Sequence, residues 1–284
     1  MRRVWLLGVL ALGMGCGTGS PRREPRVPRP GLPTLTVMTY NVNFGLAGDP
    51  AALEAIAGTH ADVVFLQETT PAWEAALRQR LSRRFPEQRY RHSAGAGGLA
   101  VLSRHPIRHD RYIPSPLGWF PAWRVVLETP VGPLQVLQLH LRPPVSDGGS
   151  WVSGYFTTRD FRARELRHFA SYLAPELPTL AVGDFNEGHD GRAVRALRGT
   201  GLQSALAEFA PSATTWHWPT ALGELRFTLD HILYSRDLDA LDARVLSAGR
   251  SDHYPVVAVF QRAPSAQSPA PRPLGPLATA GISR

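Results

Sequence analysis

Short β-rich apolar runs alternate with amphipathic stretches along the middle of the chain, and several runs stop at a polar residue. Residues 35–40 form a β-branched run that stops at Asn41, and residues 62–67 form an apolar run that stops at Glu68. The spacing predicts helices over 50–56 and 71–84, the second with Trp73, Leu77 and Leu81 four apart on one face. Further strands are expected over 99–102, 123–128 and 134–139, with Gly132-Pro133 as a turn. A helix over 160–173 would carry Phe161, Phe169, Ala170 and Leu173 near one stripe, and strands over 179–182, 227–234 and 255–260 complete the set. No internal repeat is present. The mixture predicts one α/β domain over residues 34–262 with a large, partly antiparallel sheet system.

The ends do not share this pattern. Met1-Arg2-Arg3, an apolar run over residues 4–12 and then Gly13-Met14-Gly15-Cys16 have the charged, apolar and small-residue regions of an export signal, and the run is too short to span a bilayer. Cys16, the only cysteine, lies just after that run between glycines and resembles a lipidation site, although Gly13 stands where leucine is commoner. A lipoprotein-type signal peptide over residues 1–16 is therefore expected. A Pro/Arg-rich linker over 17–33 would act as an extended spacer, and a disordered tail is expected over 263–284. The expected location is outside the cytoplasm, at the cell envelope, with the protein held to the membrane by an N-terminal lipid anchor; secretion is the alternative.

Charge changes the picture by where it sits. The chain has 284 residues and a net charge of +8, and all 31 of its basic residues are arginine, but residues 34–262 hold 23 arginines against 22 acids. The basic excess is in the tails, so a nucleic-acid partner, which usually meets a basic stripe, is possible and not favoured. One cysteine excludes a disulfide scaffold or a cysteine-rich zinc module.

Asn41, Glu68, His140, Asp184, Asn186, Asp230, Asp252 and His253 all fall at or just beyond the end of an apolar run, where a sheet delivers side chains to one surface. Carboxylate and amide oxygens without thiolates suit a hard divalent cation such as Mg²⁺ or Mn²⁺, and such cations most often assist transfer at phosphorus.

Thr39-Tyr40-Asn41-Val42, Leu66-Gln67-Glu68, Gly98-Leu99-Ala100-Val101-Leu102-Ser103, Leu139-His140-Leu141, Gly183-Asp184-Phe185-Asn186, Leu229-Asp230-His231-Ile232 and Ser251-Asp252-His253-Tyr254-Pro255 resemble, in order and spacing, the endonuclease/exonuclease/phosphatase superfamily. The resemblance implies a four-layer α/β/β/α sandwich with two mixed, mostly antiparallel sheets, and metal-dependent phosphoester hydrolysis. It makes Glu68 the principal metal ligand, with Asn41 and Asp252 binding directly or through water. Asp184 and His253 would orient and deprotonate the attacking water, Asp230 would hold His253 in its useful tautomer, and Asn186 and His140 would donate to phosphoryl oxygens.

Leu139-His140-Leu141 departs from the tyrosine that abasic-site endonucleases of the superfamily carry there. Pancreatic-type nucleases orient the equivalent histidine with a glutamate, where this chain has Gly95-Ala96-Gly97-Gly98. The chain is more similar to exported, membrane-associated and phosphatase or sphingomyelinase-like members. Residues 118–123, 151–156 and 216–218 place five of the seven tryptophans in or beside loops, where they could meet lipid, stack on bases or simply pack. Arg142, Arg159 and Arg162 could clamp a second phosphate or line a solvated helix face. The expected protein is a monomeric phosphohydrolase acting on a phosphate ester, with a lipid-linked phosphate preferred. The alternatives are a secreted DNase-like endonuclease and a non-catalytic envelope binding module.

Overall fold

Each of two six-stranded sheets is built around one parallel pair, and everything else in both is antiparallel. The computed structural model describes residues 22–264 apart from 146–153, 155–156 and 222. Cys16, the expected leader, most of the tail and Trp151 lie outside the described residues. The first sheet has the order β13 (Leu238–Val245), β14 (Val256–Arg262), β1 (Thr34–Asn41), β2 (Val63–Gln67), β4 (Leu99–Ser103), β3 (Glu87–Arg91), with β1 and β2 parallel. The second has the order β5 (Ile107–Ile113), β6 (Ala122–Thr129), β7 (Gly132–His140), β8 (Thr179–Asp184), β12 (Asp230–Tyr234), β9 (Gln203–Ser204), with β7 and β8 parallel.

A parallel pair needs a crossover, and the chain supplies helices for both. Helix α1 (Pro50–Gly58) joins β1 to β2 and starts on Asp49, whose carboxylate accepts from the Ala52 amide at 3.1 Å. Helix α2 (Pro71–Leu81) follows β2, capped by Thr70 with Pro71 in its first turn. Helix α3 (Arg159–Ala170) lies in the crossover from β7 to β8, and α4 (Arg192–Gly199) follows β8. Three apolar layers result. Val37, Phe65, Trp123, Val182 and Phe260 fill the space between the sheets, Met38, Ile56, Trp73 and Leu77 sit between the first sheet and its helices, and Leu139, Leu166, Phe169 and Leu197 do the same for the second. This is the expected four-layer α/β/β/α sandwich.

Several elements differ from the sequence reading. Residues 227–234 are two strands, because the chain leaves β11 (Gly223–Phe227) at Thr228 and re-enters the sheet at Asp230. Asp230 therefore opens β12 instead of following an apolar run; β12 is antiparallel to β8, so its first residue reaches the same edge as the last residue of β8. The buried face of α3 contains Arg162 and Glu165 beside Ala163, Leu166 and Phe169, while Phe161 is only partly buried. A short helix α5 (Ala205–Phe209) and a two-stranded ribbon of β10 (Trp216–Thr220) with β11 complete the described fold. No helix among the described residues is long and apolar enough to cross a membrane.

Residues 22–33 of the expected linker run along the domain. The Arg26 amide donates to the Leu241 carbonyl on edge strand β13 at 2.8 Å, and the Arg23 amide donates to the Glu208 carbonyl at 2.7 Å. Gln261 accepts from the Arg29 amide at 3.1 Å and donates to the Arg29 and Leu32 carbonyls. An edge strand presents unpaired backbone groups, and this strap satisfies part of that row.

Candidate active site

The carboxyl ends of both parallel pairs open on one edge of the sandwich. In the second sheet His140 pairs with Asp184 across the parallel ladder and Asp184 pairs with Asp230 across the antiparallel one, so three site residues form a single row. That register requires β7 and β8 to approach closely at Gly183, where an added Cβ would lie 1.9 Å from the Leu139 carbonyl oxygen. In the first sheet, β1 ends at Asn41 and Glu68 follows β2 in a left-handed turn, with φ of 62°. Asp252 and His253 come from the segment that leads into β14.

The two rows meet through an imidazole. His253 Nδ1 lies 2.8 Å from Asp230 Oδ2, and its Nε2 lies 3.6 Å from Asp184 Oδ2. Burial alone would lower the His253 pKa, but Asp230 and Asp184 outweigh it and raise it, so the ring holds its proton between two carboxylates. Burial pushes Asp184 the other way for an acid, above the usual carboxylate range. Thr215 Oγ1 accepts from the Leu229 and Asp230 amides at 2.8 and 3.0 Å and fixes the start of β12.

Asn41 Nδ2 donates to Glu68 Oε1 at 3.0 Å and to Asp184 Oδ2 at 3.2 Å, while its Oδ1 accepts from the Asn43 amide. In this arrangement Asn41 spaces two carboxylates and turns its oxygen to the backbone. Glu68 also accepts from the Phe44 amide, and burial raises its pKa. Asp252 accepts from Asn43 Nδ2 at 3.1 Å and from Trp216 Nε1 at 2.9 Å, one donor on each oxygen. Asn186, at φ of 51°, closes a turn by donating its backbone amide to Asp184 Oδ1, and its side chain donates to the Leu141 carbonyl.

His140 does have an orienting partner, supplied by the backbone. Its Nδ1 lies 3.1 Å from the Ala96 carbonyl, its ring stacks on Phe120 at 4.2 Å, and Nε2 faces Asp184 at 3.6 Å and Glu68 at 4.0 Å. Burial lowers its pKa to about 4. A neutral ring that donates its Nδ1 proton to a carbonyl presents a lone pair at Nε2, so the expected phosphoryl donor is an acceptor in the free protein and donates only once protonated, which the charge of a phosphoryl anion favours.

The expected arginine clamp is corrected at Arg162. Arg162 is fully buried, pairs with Glu187 at 2.9 Å and donates to the Arg142 carbonyl and Thr158, which makes it a strut under the loop after β8. Arg142 is buried with its guanidinium 4.6 Å from both the Trp119 and Phe161 rings, and Arg159 is partly buried at the start of α3. Trp123 and Trp216 are buried as well, so the aromatic rim among the described residues is narrower than the sequence suggested.

The oxygen-rich donor set fits a hard divalent cation. Asn41 Nδ2 bridges Glu68 and Asp184, Asp252 is near enough to Glu68 to push its pKa up, and Asp230 Oδ1 is buried without a hydrogen bond. The model of the Endonuclease/Exonuclease/phosphatase family matches residues 38–253. The chain belongs to this family. Members of the endonuclease/exonuclease/phosphatase family are metal-dependent phosphoester hydrolases. Among solved structures, an endonuclease/exonuclease/phosphatase from Beutenbergia cavernae is 19% identical, with a TM-score of 0.64 over 81% of this chain and 72% of that one. D. rerio TDP2, complexed with a single-strand DNA product, is 18% identical with a TM-score of 0.64 over 80% and 98%. ANGEL2, a 2',3'-cyclic phosphatase, is 16% identical with a TM-score of 0.62 over 81% and 96%. No curated protein matches the chain significantly.

Proposed function

We propose that the protein hydrolyses a phosphate ester with Mg²⁺ or Mn²⁺, and that its substrate is a lipid-linked phosphate at the cell envelope. The observation that carries the hydrolase reading is His253 held between Asp230 and Asp184 beside Glu68. A divalent cation bound at Glu68 and its neighbours supplies charge neutralisation at the phosphoryl group. Asp184, whose pKa is raised and whose Oδ1 is held by the Asn186 amide, is the base that takes a proton from the attacking water at Oδ2. His253, kept charged by Asp230, then faces the developing phosphoryl charge, and the remaining amide proton of Asn186 serves the same end. This assigns proton abstraction to Asp184 alone and leaves His253 as its charged partner.

Support for an anchored enzyme comes from the leader pattern ending at Cys16. The Cys16→Ser protein is expected to shift out of the membrane fraction on washing, keeping only reversible binding, with its chemistry unchanged. The nuclease reading draws on the TDP2 complex with DNA, and the near-neutral charge of residues 34–262 weighs against it. The test is hydrolysis of bis-p-nitrophenyl phosphate, lipid phosphates and plasmid DNA with added Mg²⁺ or Mn²⁺ and with chelator. Metal-dependent release from lipid phosphate without DNA nicking supports the proposal; nicking alone replaces it with the nuclease, and no metal-stimulated hydrolysis of any substrate rejects both.

A further inference from the structure

The β10–β11 ribbon carries an apolar face that stays largely exposed among the described residues. Alternation along the two strands puts Trp216 opposite Phe227 and Trp218 opposite Leu225 on one face, and His217, Arg226, Pro219 and Glu224 on the other. Trp216 is buried, but Trp218, Leu225 and Phe227 are 51%, 47% and 46% exposed. An isolated two-stranded ribbon gains little stability of its own, so three exposed large apolar side chains on it call for a covering phase.

The ribbon is seated on the site. Trp216 Nε1 donates to Asp252, the His217 amide donates to the Asp252 carbonyl at 2.9 Å, and Trp216 bridges to His253 through the backbone. Trp216 stacks on Trp218 at 6.2 Å and on Phe227 at 5.8 Å, so the exposed rings continue directly from a residue that touches the catalytic edge. Two further exposed aromatics are one contact away from site residues. Phe44 is half-exposed, with its amide on Glu68, and Trp119 packs edge-on against Phe120, which stacks on His140.

We infer that the apolar face of this ribbon docks into the acyl region of a lipid surface and sets the catalytic mouth against it. Charge decides between lipid and a nucleic-acid strand. The ribbon's basic side chains lie on the opposite face and contact Glu224 there, His217 Nδ1 at 3.1 Å and Arg226 at 2.5 Å, so the apolar face itself offers a polyanion no charge. Leu225 adds aliphatic area that base stacking does not use, whereas interfacial insertion uses all three side chains. The inference rests on the lipid-phosphate reading above and supplies it with a surface.

The test uses the full chain carrying Cys16→Ser, which has no acyl group, and vesicles of phosphatidylcholine with brominated acyl chains. Tryptophan fluorescence is expected to be quenched on binding. The partition coefficient is expected to fall about a hundredfold when Trp218→Ser, Leu225→Ser and Phe227→Ser are combined. Any contribution of the leader is the same in both proteins. Hydrolysis of soluble bis-p-nitrophenyl phosphate by the triple variant is expected to match its parent, which shows that the domain is folded. Trp218→Phe is expected to keep the partition and lose most of the quenching. Equal partition of parent and triple variant overturns the docking surface, as does absence of quenching in the parent. Protection of Trp218 by single-stranded DNA but not by vesicles overturns it in favour of base stacking. Vesicle binding lost in the triple variant, with lipid phosphates left uncleaved, keeps the surface and rejects only the substrate reading.

Discussion

At the ends of the first parallel pair, Glu68 stands in a mouth that solvent reaches, with 15% of its side chain exposed beside a buried Asn41; at the ends of the second, His140 and Asp184 are 3% and 2% exposed. Both edges are made by the same arrangement of strands, yet they receive different chemistry. The first presents oxygens that can be shared with a cation, held by amide donors from Asn41 and Phe44. The second presents groups whose protonation is fixed by burial, namely a neutral His140 and a basic Asp184. A phosphoester hydrolase needs both, since a cation site requires access and a proton-transfer site requires a controlled dielectric. His253 comes from the first sheet and Asp230 from the second, so their hydrogen bond is where the two kinds of edge are joined.

The largest expected effect breaks the first edge. Glu68→Ala should lower metal-stimulated hydrolysis of a soluble diester by roughly three orders of magnitude and remove Mg²⁺ binding in calorimetry; unchanged metal titration would sink the assignment. Next comes the joint between the edges. His253→Ala should cost about two to four orders of magnitude in kcat, and Asp230→Asn should fall in the same direction. If the pair acts as a unit, the double variant is little worse than His253→Ala, whereas multiplicative losses would mean that the two work independently.

A smaller effect sharpens the second edge. His140→Gln should lower kcat by about a hundredfold through loss of phosphoryl contact while leaving metal binding intact. A concurrent loss of Mg²⁺ affinity would move His140 to the cation side. The smallest effect is on stability. Burial, with help from His189, lowers the His231 pKa to about 3, so below pH 6.5 the unfolded chain takes up a proton that the folded one refuses. Stability from this group is complete above pH 6.5 and declines as pH falls toward 3, by about 1.4 kcal/mol per pH unit. Urea unfolding of His231→Gln between pH 6.5 and 4.5 should show a slope shallower by about one proton; an unchanged slope would refute this.

The sequence made β1, β2, β7 and β8 legible because strands buried on both faces read as continuous apolar runs and their ends carry the site. The charged strands were not. Glu87–Arg91, Ile107–Ile113 and Leu238–Val245 have polar residues where an edge or half-exposed strand tolerates them, so neither strict alternation nor an apolar run marked them. Arg162 and Glu165 look like a solvated helix face because Glu187 and Ser115, which they pair with, lie on other elements. The partner of His140 is a carbonyl at Ala96, and a backbone group leaves no signature in residue identity. Asn43 and Trp216, which hold Asp252, were within reach of the sequence only as an ordinary turn former and a loop aromatic.

Three residues near the mouth, Asn43, Glu68 and Asn186, have a positive φ. Glutamate takes a positive φ less readily than asparagine, so the residue proposed as the principal cation ligand sits on a strained backbone. Most of this carboxylate is buried, which raises its pKa and is a second cost in the free protein. Activity and robustness therefore pull in opposite directions at one position. Glu68→Gly relieves both costs at once, and the protein that can no longer do its chemistry should melt at a higher temperature than the one that can.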